Sequence, residues 1–191
     1  MLHLRSDVIN FAAEKQQDPE DPMKKYVFIL LFFLLVTIPA EAEKCHISGK
    51  FEDIITSFNW SAEIDYNITG TRYRKIDPDK CVFEIQNQNL GLYICELDAT
   101  TALYIGTDKY LNAETIQIQG YTETNKPSRA TYDWAFIATS VACGNNYWSD
   151  IQDIFIEAYK KGYYYKNGVK IACGKHPDAD FLWVYAIGNE N

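Results

Sequence analysis

The sequence predicts an α+β domain: a mostly antiparallel sheet with two or three helices packed against it, stabilised by disulfides. Several segments alternate apolar and polar residues, which is the pattern of strands with one buried face. The turns between them are of the hairpin type, and hairpins join antiparallel strands, whereas parallel strands need crossover helices. Five cysteines in a chain that carries an export signal add the expectation of disulfides.

Two segments have the apolar spacing of an amphipathic helix. A short helix is predicted to open the domain, because apolar residues there follow the i, i+3, i+4, i+7 rule: Phe51, Ile54, Ile55 and Phe58. A better-defined helix is predicted over 149–161, where Ser149 and Gln152 have the spacing of a capping box. Gly162 follows two lysines and is a natural C-terminal stop for this helix.

A long strand with one buried face is predicted over 60–69, where apolar and polar residues alternate. Further strands are predicted at 81–85, 92–97, 115–119, 132–143 and 181–187. The segment 132–143 is apolar on both faces, which indicates a strand buried on both sides. The pattern of residues 98–111 fits either a short helix or a strand. The pair Asn167-Gly168 lies between β-forming residues and predicts a two-residue hairpin turn.

The N-terminal region predicts export from the cytoplasm. Residues 23–42 contain two lysines, an apolar run and the pattern Ala40-Glu41-Ala42, which is the layout of a cleaved signal peptide. We therefore predict that residues 1–22 are a non-native upstream extension and that 43–191 form a single secreted or periplasmic domain. The alternative is a signal anchor that tethers the same domain to a membrane, but the apolar run is shorter than the about 20 residues that a spanning helix needs.

The acidic balance of the chain argues against several classes of partner. The formal net charge is −8. Binding to nucleic acid depends on Lys and Arg side chains that meet phosphates, so we expect no nucleic-acid partner. The same charge disfavours docking to an anionic membrane surface, and we expect no membrane contact once the signal is removed.

Cysteine spacing predicts two local disulfides. In an oxidising compartment most cysteines pair, and an odd number leaves one thiol over. The spacing favours Cys81 with Cys95 and Cys143 with Cys173, which leaves Cys45 spare near the new N-terminus. Closing such loops stabilises a fold by about 3 kcal/mol each when only chain entropy is considered.

The sequence contains no assembled catalytic motif. The strongest candidates are His176, Asp178 and Asp180, a cluster before a buried strand that could supply acid–base chemistry to a small secreted hydrolase. Cys45-His46 and Cys173-x-x-His176 resemble two halves of a zinc site, but disulfides compete for the same thiols. The sequence therefore predicts no metal and no cofactor, and it favours a binding domain over an enzyme.

Aromatic residues support the leading functional prediction. The run Tyr163-Tyr164-Tyr165 precedes the predicted hairpin turn, and Trp148 precedes the predicted helix. Because side chains alternate along a strand, Tyr163 and Tyr165 share one face and Tyr164 lies on the other. Exposed aromatic side chains bind sugar rings and protein partners. We therefore predict a non-catalytic binding domain whose ligand is a protein or a carbohydrate.

Overall fold

The computed structural model describes residues 45–190 apart from 88–89, 124–125, 145–147 and 167, and it describes only the backbone of Trp148, Ser149 and Lys166. The predicted signal peptide at 23–42 and the predicted extension at 1–22 therefore lie outside the described residues. No helix in the described part of the chain is long and apolar enough to cross a membrane.

Three helices and seven strands make up the described part of the chain. The helices are α1 (Phe51–Thr69), α2 (Arg129–Ala142) and α3 (Trp148–Lys161). The strands are β1 (Val82–Asn87), β2 (Leu90–Glu96), β3 (Thr101–Thr107), β4 (Ala113–Tyr121), β5 (Tyr163–Lys166), β6 (Val169–His176) and β7 (Ala179–Asn189). They form one sheet in the order β1-β2-β3-β4-β7-β6-β5. Every neighbouring pair is antiparallel, which confirms the predicted α+β fold.

All three helices pack on one face of the sheet. Alternate residues of the central strands point toward them and are buried: Leu103, Ile105, Ile116, Ile118, Trp183, Tyr185 and Ile187. Phe51 of α1 stacks on Tyr93 of β2, and Phe155 of α3 packs against Tyr185 of β7. The residues that alternate with this buried set form the opposite face, here called the outer sheet face, and none of the three helices lies on it.

Helix α1 occupies a segment in which the sequence predicts a strand. The helix expected at the start of the domain continues to Thr69, so the strand predicted over 60–69 is wrong. Its buried residues follow helical rather than alternating spacing: Phe51, Ile54, Ile55, Phe58, Ser61, Ala62 and Asp65. Trp60 and Ile68, apolar members of the alternation, are 54% and 60% exposed. Gly70 ends the helix at a φ of 75°, the left-handed conformation of a glycine cap.

The segment predicted as a buried strand at 132–143 is also helical and belongs to α2. This helix packs against both other helices and the sheet, where the Thr139 and Tyr185 hydroxyls are 2.8 Å apart. Burial on nearly all sides removes the polar stripe of a surface helix, so its periodicity does not distinguish it from a buried strand. Ser128 caps the helix by accepting the N–H of Thr131.

The remaining elements agree with the sequence-based expectations. Helix α3 covers the predicted helix at 149–161, and Gly162 follows it with a φ of 80°. The predicted cap, the side chain of Ser149, lies outside the described residues. The strands predicted at 81–85, 92–97, 115–119 and 181–187 overlap β1, β2, β4 and β7, and the open segment 98–111 contains β3.

The predicted hairpin joins β5 to β6. Lys166 pairs with Val169, which leaves a two-residue loop. Gly168 has a φ of 84°, a conformation that glycine adopts without strain. Asn167 lies outside the described residues. The position of the hairpin is therefore confirmed.

Two disulfides form, and one of them pairs as predicted. Cys81 is bonded to Cys95, which confirms the first prediction. Cys143 is bonded to Cys45, and Cys173 is the free thiol. The predicted bridge between Cys143 and Cys173 is therefore wrong, and so is the prediction that Cys45 is spare.

The Cys45–Cys143 bridge joins residues that are 98 positions apart. The chain before α1 runs beside the end of α2, where the His46 N–H donates to the Ala142 carbonyl at 2.9 Å. Cys173 lies in β6, where burial raises the pKa of its thiol to about 11. Spacing along the sequence favours local bridges and does not reveal such a long-range approach of two Cα atoms.

Candidate functional site

The predicted catalytic residues lie at the tight turn between β6 and β7. His176 pairs with Ala179 there, and its Nδ1 accepts the backbone N–H of Asp178 at 3.2 Å. The Asp180 side chain is 98% exposed and lies 3.8 Å from Lys175 Nζ. Among the described residues, no carboxylate lies within ion-pair distance of the imidazole. The structure therefore does not assemble these residues as an acid–base pair.

The tyrosine run divides between the core and the surface. Tyr164 is 5% exposed, and burial raises the pKa of its phenol. Tyr163 and Tyr165 are 56% and 58% exposed on the outer sheet face, and their ring centroids are 6.0 Å apart. Tyr164 is therefore a core residue, and Tyr163 and Tyr165 form the exposed pair. The side chain of Trp148 lies outside the described residues.

A row of cross-strand neighbours extends from Tyr163 over the outer sheet face. Moving away from β5, its members are Ala172, Ala186, Gln117, Tyr104, Ile94 and Val82. None of these side chains carries a charge, and Gln117 offers both a donor and an acceptor. The row is suited to stacking and hydrogen bonding rather than to acid–base chemistry.

A buried polar cluster joins α1, α2 and the chain that follows α1. Asp65 is 4% exposed, and its carboxylate accepts the Tyr73 hydroxyl at 2.5 Å. Asp133 is 8% exposed and accepts Arg129 Nε at 2.8 Å. Burial raises the pKa of Asp133, Arg129 opposes this shift, and the charge of Asp65 adds to it. Burial, reinforced by the bond to Asp65, raises the pKa of Tyr73.

The sequence does not indicate this cluster, because its local patterns predict strands at both carboxylates. Helical spacing identifies Asp65, since it lies seven residues after Phe58 on the buried side of α1. Both carboxylates are hydrogen-bonded within the cluster. The cluster therefore stabilises the fold and does not present a free acid–base pair to a substrate.

A groove of about 550 Å³ lies between α1 and the segment that follows it. We call it the α1 groove; its lining includes Trp60, Glu63, Tyr66, Arg72, Arg74 and Lys75. Trp60 and Tyr66 are 54% and 40% exposed. The Arg72 guanidinium lies 5.9 Å from the centre of the Tyr66 ring, which is a cation–π contact. Volumes of this size are typical of ligand sites.

Hydrogen bonds fix the two walls of the α1 groove relative to each other. The Asn59 side chain accepts the Ile76 N–H at 2.8 Å and donates to the Ile76 carbonyl at 2.9 Å. Tyr73 is held by Asp65, and its ring packs edge-on against Trp134 at 5.0 Å. The segment after α1 is thus anchored to the helix at two points, and these contacts define the shape of the groove.

The α1 groove is locally basic although the chain is acidic. Arg72, Arg74 and Lys75 form no ion pair with any residue that the structure describes. Glu63 contributes a carboxylate to the lining. The sequence does not indicate this basic groove, because the net charge averages over the whole chain and the basic segment 72–75 is short. Only the fold shows that these cations line a groove with two exposed aromatic rings.

No protein-family model matches the sequence, and no curated protein or solved structure matches it significantly. Within the described ranges, no three His, Cys, Asp or Glu side chains are placed to hold a metal ion. The surfaces of the chain itself are therefore the basis on which we infer a function.

Proposed function

We propose that this chain is a non-catalytic binding domain that is secreted or periplasmic and recognises a protein or a carbohydrate. The observation that carries the proposal is the pair Tyr163 and Tyr165, which expose more than half of their surface on the outer sheet face. Aromatic rings on a strand have few rotatable bonds, so they lose little entropy when a ligand covers them. Their faces stack on sugar rings and pack against protein side chains.

The hairpin holds the two rings in place before a ligand arrives. Strand β5 pairs along its length with β6, from Tyr163 opposite Ala172 to Lys166 opposite Val169. Tyr164 packs into the core and anchors the same strand from the helical side. A ligand therefore meets a preorganised surface and does not have to order it.

The row beside Tyr163 suits a ligand with hydroxyl or amide groups. Ala172 and Ala186 are small and leave room next to the ring, and the partly exposed Gln117 lies beyond them. This combination of a ring, small side chains and an amide favours a neutral carbohydrate or a polar protein surface.

The two disulfides support a location outside the cytoplasm, because disulfides persist in oxidising compartments. The residue pattern at 23–42 is that of a cleaved export signal. N-terminal sequencing of the exported protein tests this part of the proposal. We expect Glu43 as the first residue, and a mature form that retains Met23 would contradict cleavage.

Glycan and peptide arrays test the binding function. We expect the wild-type protein to retain at least one array component without cleaving it and the Tyr163→Ala/Tyr165→Ala variant to lose that component. Tyr121→Ala is the matched control, because Tyr121 is also 58% exposed but lies outside the row. Equal retention by the double variant would show that the tyrosine pair is not the site, and cleavage of a retained component would refute the non-catalytic assignment.

A further inference from the structure

We propose that the α1 groove is a second binding site, and that it takes an extended peptide segment of a partner protein that carries alternating acidic and apolar side chains. The site is on the helical side of the molecule and is independent of the tyrosine pair on the outer sheet face. Four properties of the groove support this occupant: its charge, its unpaired backbone, its exposed aromatic rings and its continuation into a second depression.

The positive charge of the groove favours an acidic ligand. Arg72, Arg74 and Lys75 form no ion pair with the described residues. The Asp77 carboxyl is nearby, and its pKa is lowered by the hydrogen bond from Lys80 and also by the charge of Arg74. An acidic side chain in the groove would supply the missing ion pair. Guanidinium groups bind carboxylates in a bidentate manner, which fixes geometry as well as charge. The whole chain has a net charge of −8 and repels long polyanions, so a short acidic segment is favoured over nucleic acid or an anionic membrane.

The backbone groups in one wall of the groove favour a peptide as the ligand. From Arg72 to Lys75 the backbone N–H and C=O groups make no hydrogen bond with the described residues. Unpaired backbone groups of this kind pair with an extended peptide, as at the open edge of a sheet. A small organic anion would leave most of these groups unused.

The exposed aromatic rings of the groove favour a peptide that also carries apolar side chains. Trp60 and Tyr66 are exposed on the opposite wall, and exposed Trp and Tyr side chains beside Arg are the composition of interaction hot spots. Because side chains of an extended peptide alternate, one set can reach the rings while the other reaches the cations.

The length of the accessible surface also favours a peptide over a small molecule. A second depression of about 450 Å³ adjoins the α1 groove and shares Arg74 and Lys75 with it. Its lining includes Asp77, Lys80 and Glu96, and Asp77 pairs with Lys80 at 3.1 Å. The cations of this lining that form no ion pair with a described residue are therefore the two that it shares with the α1 groove. A segment that crosses both depressions passes over Arg74 and Lys75, so these two cations form the centre of the proposed site.

Fluorescence anisotropy with a defined peptide pool tests the proposal. The probe is a fluorescein-labelled pool of hexapeptides in which Asp or Glu alternates with Phe or Leu, and the reference pool replaces the acids with Asn or Gln. We expect saturable binding of the acidic pool only, and weaker binding as salt is added. The Arg74→Glu/Lys75→Glu variant should weaken binding by at least about tenfold. Trp60→Ala should weaken binding as well.

A charge-matched variant makes the test specific. Lys109→Glu/Lys170→Glu makes the same change in net charge at two exposed lysines that do not line the groove, and it should bind the acidic pool like wild type. Tyr163→Ala/Tyr165→Ala should also retain binding, so failure of one site is distinguishable from failure of the other. Equal loss in both charge-reversed variants, or equal binding of both pools by wild type, would overturn the proposal. Groove-dependent binding of heparin fragments or phosphatidylserine vesicles without binding of the peptides would overturn it as well.

Discussion

The Tyr73 hydroxyl donates a hydrogen bond of 2.5 Å to the buried carboxylate of Asp65 and thereby ties the chain after α1 to that helix. Asp65 also accepts the Thr69 hydroxyl at 3.1 Å. Arg72 and Arg74 flank Tyr73 in the sequence, so this contact also determines where both cations stand in the α1 groove. Removal of the contact should affect both the stability of the domain and the shape of the groove.

Tyr73→Phe should destabilise the domain by about 2 kcal/mol, because the Asp65 carboxylate, which is 4% exposed, loses a hydrogen-bond donor. Urea unfolding followed by circular dichroism measures this change. Tyr163→Phe removes an exposed hydroxyl and should alter the free energy of unfolding by less than about 0.5 kcal/mol. Equal effects of the two substitutions would show that the Asp65 contact does not stabilise the fold.

Asp133 should give the stability of the domain a pH dependence opposite to that of a typical carboxylate. Burial raises the pKa of Asp133, so the folded protein holds a proton there at pH values where the unfolded chain has released it. Its contribution is complete below the ordinary Asp pKa and is lost as pH rises through the raised value. Asp133→Asn should therefore be most destabilising, relative to wild type, near about pH 4, and less so as pH increases.

Urea midpoints of the wild type and Asp133→Asn between about pH 4 and about pH 8 test this expectation. Asp153→Asn removes an exposed carboxylate from α3 and corrects for the loss of one negative charge. A stability difference that grows with pH would contradict the assignment of the shift to burial.

The two disulfides should contribute unequally to stability. Cys45–Cys143 spans 98 residues and Cys81–Cys95 spans 14, and a longer loop loses more entropy when it is closed. In the chain-entropy model the contributions are about 4.7 and about 3 kcal/mol. Paired substitution to alanine should therefore cost about 1–2 kcal/mol more at Cys45 and Cys143 than at Cys81 and Cys95. A larger loss from the shorter loop would argue against this entropic account.

Gly120 should not tolerate a side chain. A Cβ there would lie 2.6 Å from Thr131 Cγ2 and would collide with the Thr131 hydroxyl, because β4 and α2 approach closely at this point. Gly120→Ala should destabilise the domain by about 1–3 kcal/mol through overpacking. Gly188→Ala is the matched control, since the nearest atom to its Cβ would be 3.6 Å away. A thermal melt of both variants suffices, and equal shifts would contradict the close approach.

Cys173 should react slowly with thiol reagents while the domain is folded. Burial raises the pKa of its thiol from 9.0 to about 11. The thiolate fraction at a given pH below both values therefore falls by about a hundredfold. Iodoacetamide labelling at pH 8 should be slower by at least about tenfold than in urea without reductant, because the greater nucleophilicity of a more basic thiolate offsets part of this loss. Mass spectrometry gives both rates, and equal rates would mean that the thiol is accessible in the native state.

Local signals account for the part of the fold that the sequence predicts well. Helix α3, Gly162 and the hairpin at Gly168 each depend on neighbouring residues, and so does the Cys81–Cys95 bridge. The errors at α1 and α2 have a different cause. Residues 60–69 alternate in polarity by chance within a helix that buries Ser61 and Asp65, and α2 is buried on nearly all sides. Only tertiary packing decides such segments.

The candidate sites also divide into one that local sequence predicts and one that only tertiary packing creates. Alternation along a strand correctly assigns Tyr163 and Tyr165 to one face and Tyr164 to the other. The α1 groove is assembled from a helix and from the chain that follows it, held by Asn59 and Ile76. Its cations and rings are separated in the sequence by the end of the helix, so the sequence alone did not associate them.

The side-chain amide of Asn59 is used in hydrogen bonds to the Ile76 backbone. This affects which expression host can produce the folded protein. Asn59-Trp60-Ser61 is an acceptor pattern for N-linked glycosylation, which a eukaryotic secretory pathway attaches to the amide nitrogen. In the folded domain that nitrogen donates to Ile76 from a partly buried position. A sugar added before folding would displace this bond and push apart the two walls that it joins. Material secreted from yeast or insect cells is therefore expected to fold poorly unless the acceptor serine is removed, for example by Ser61→Ala, whereas a bacterial periplasm leaves the amide unmodified.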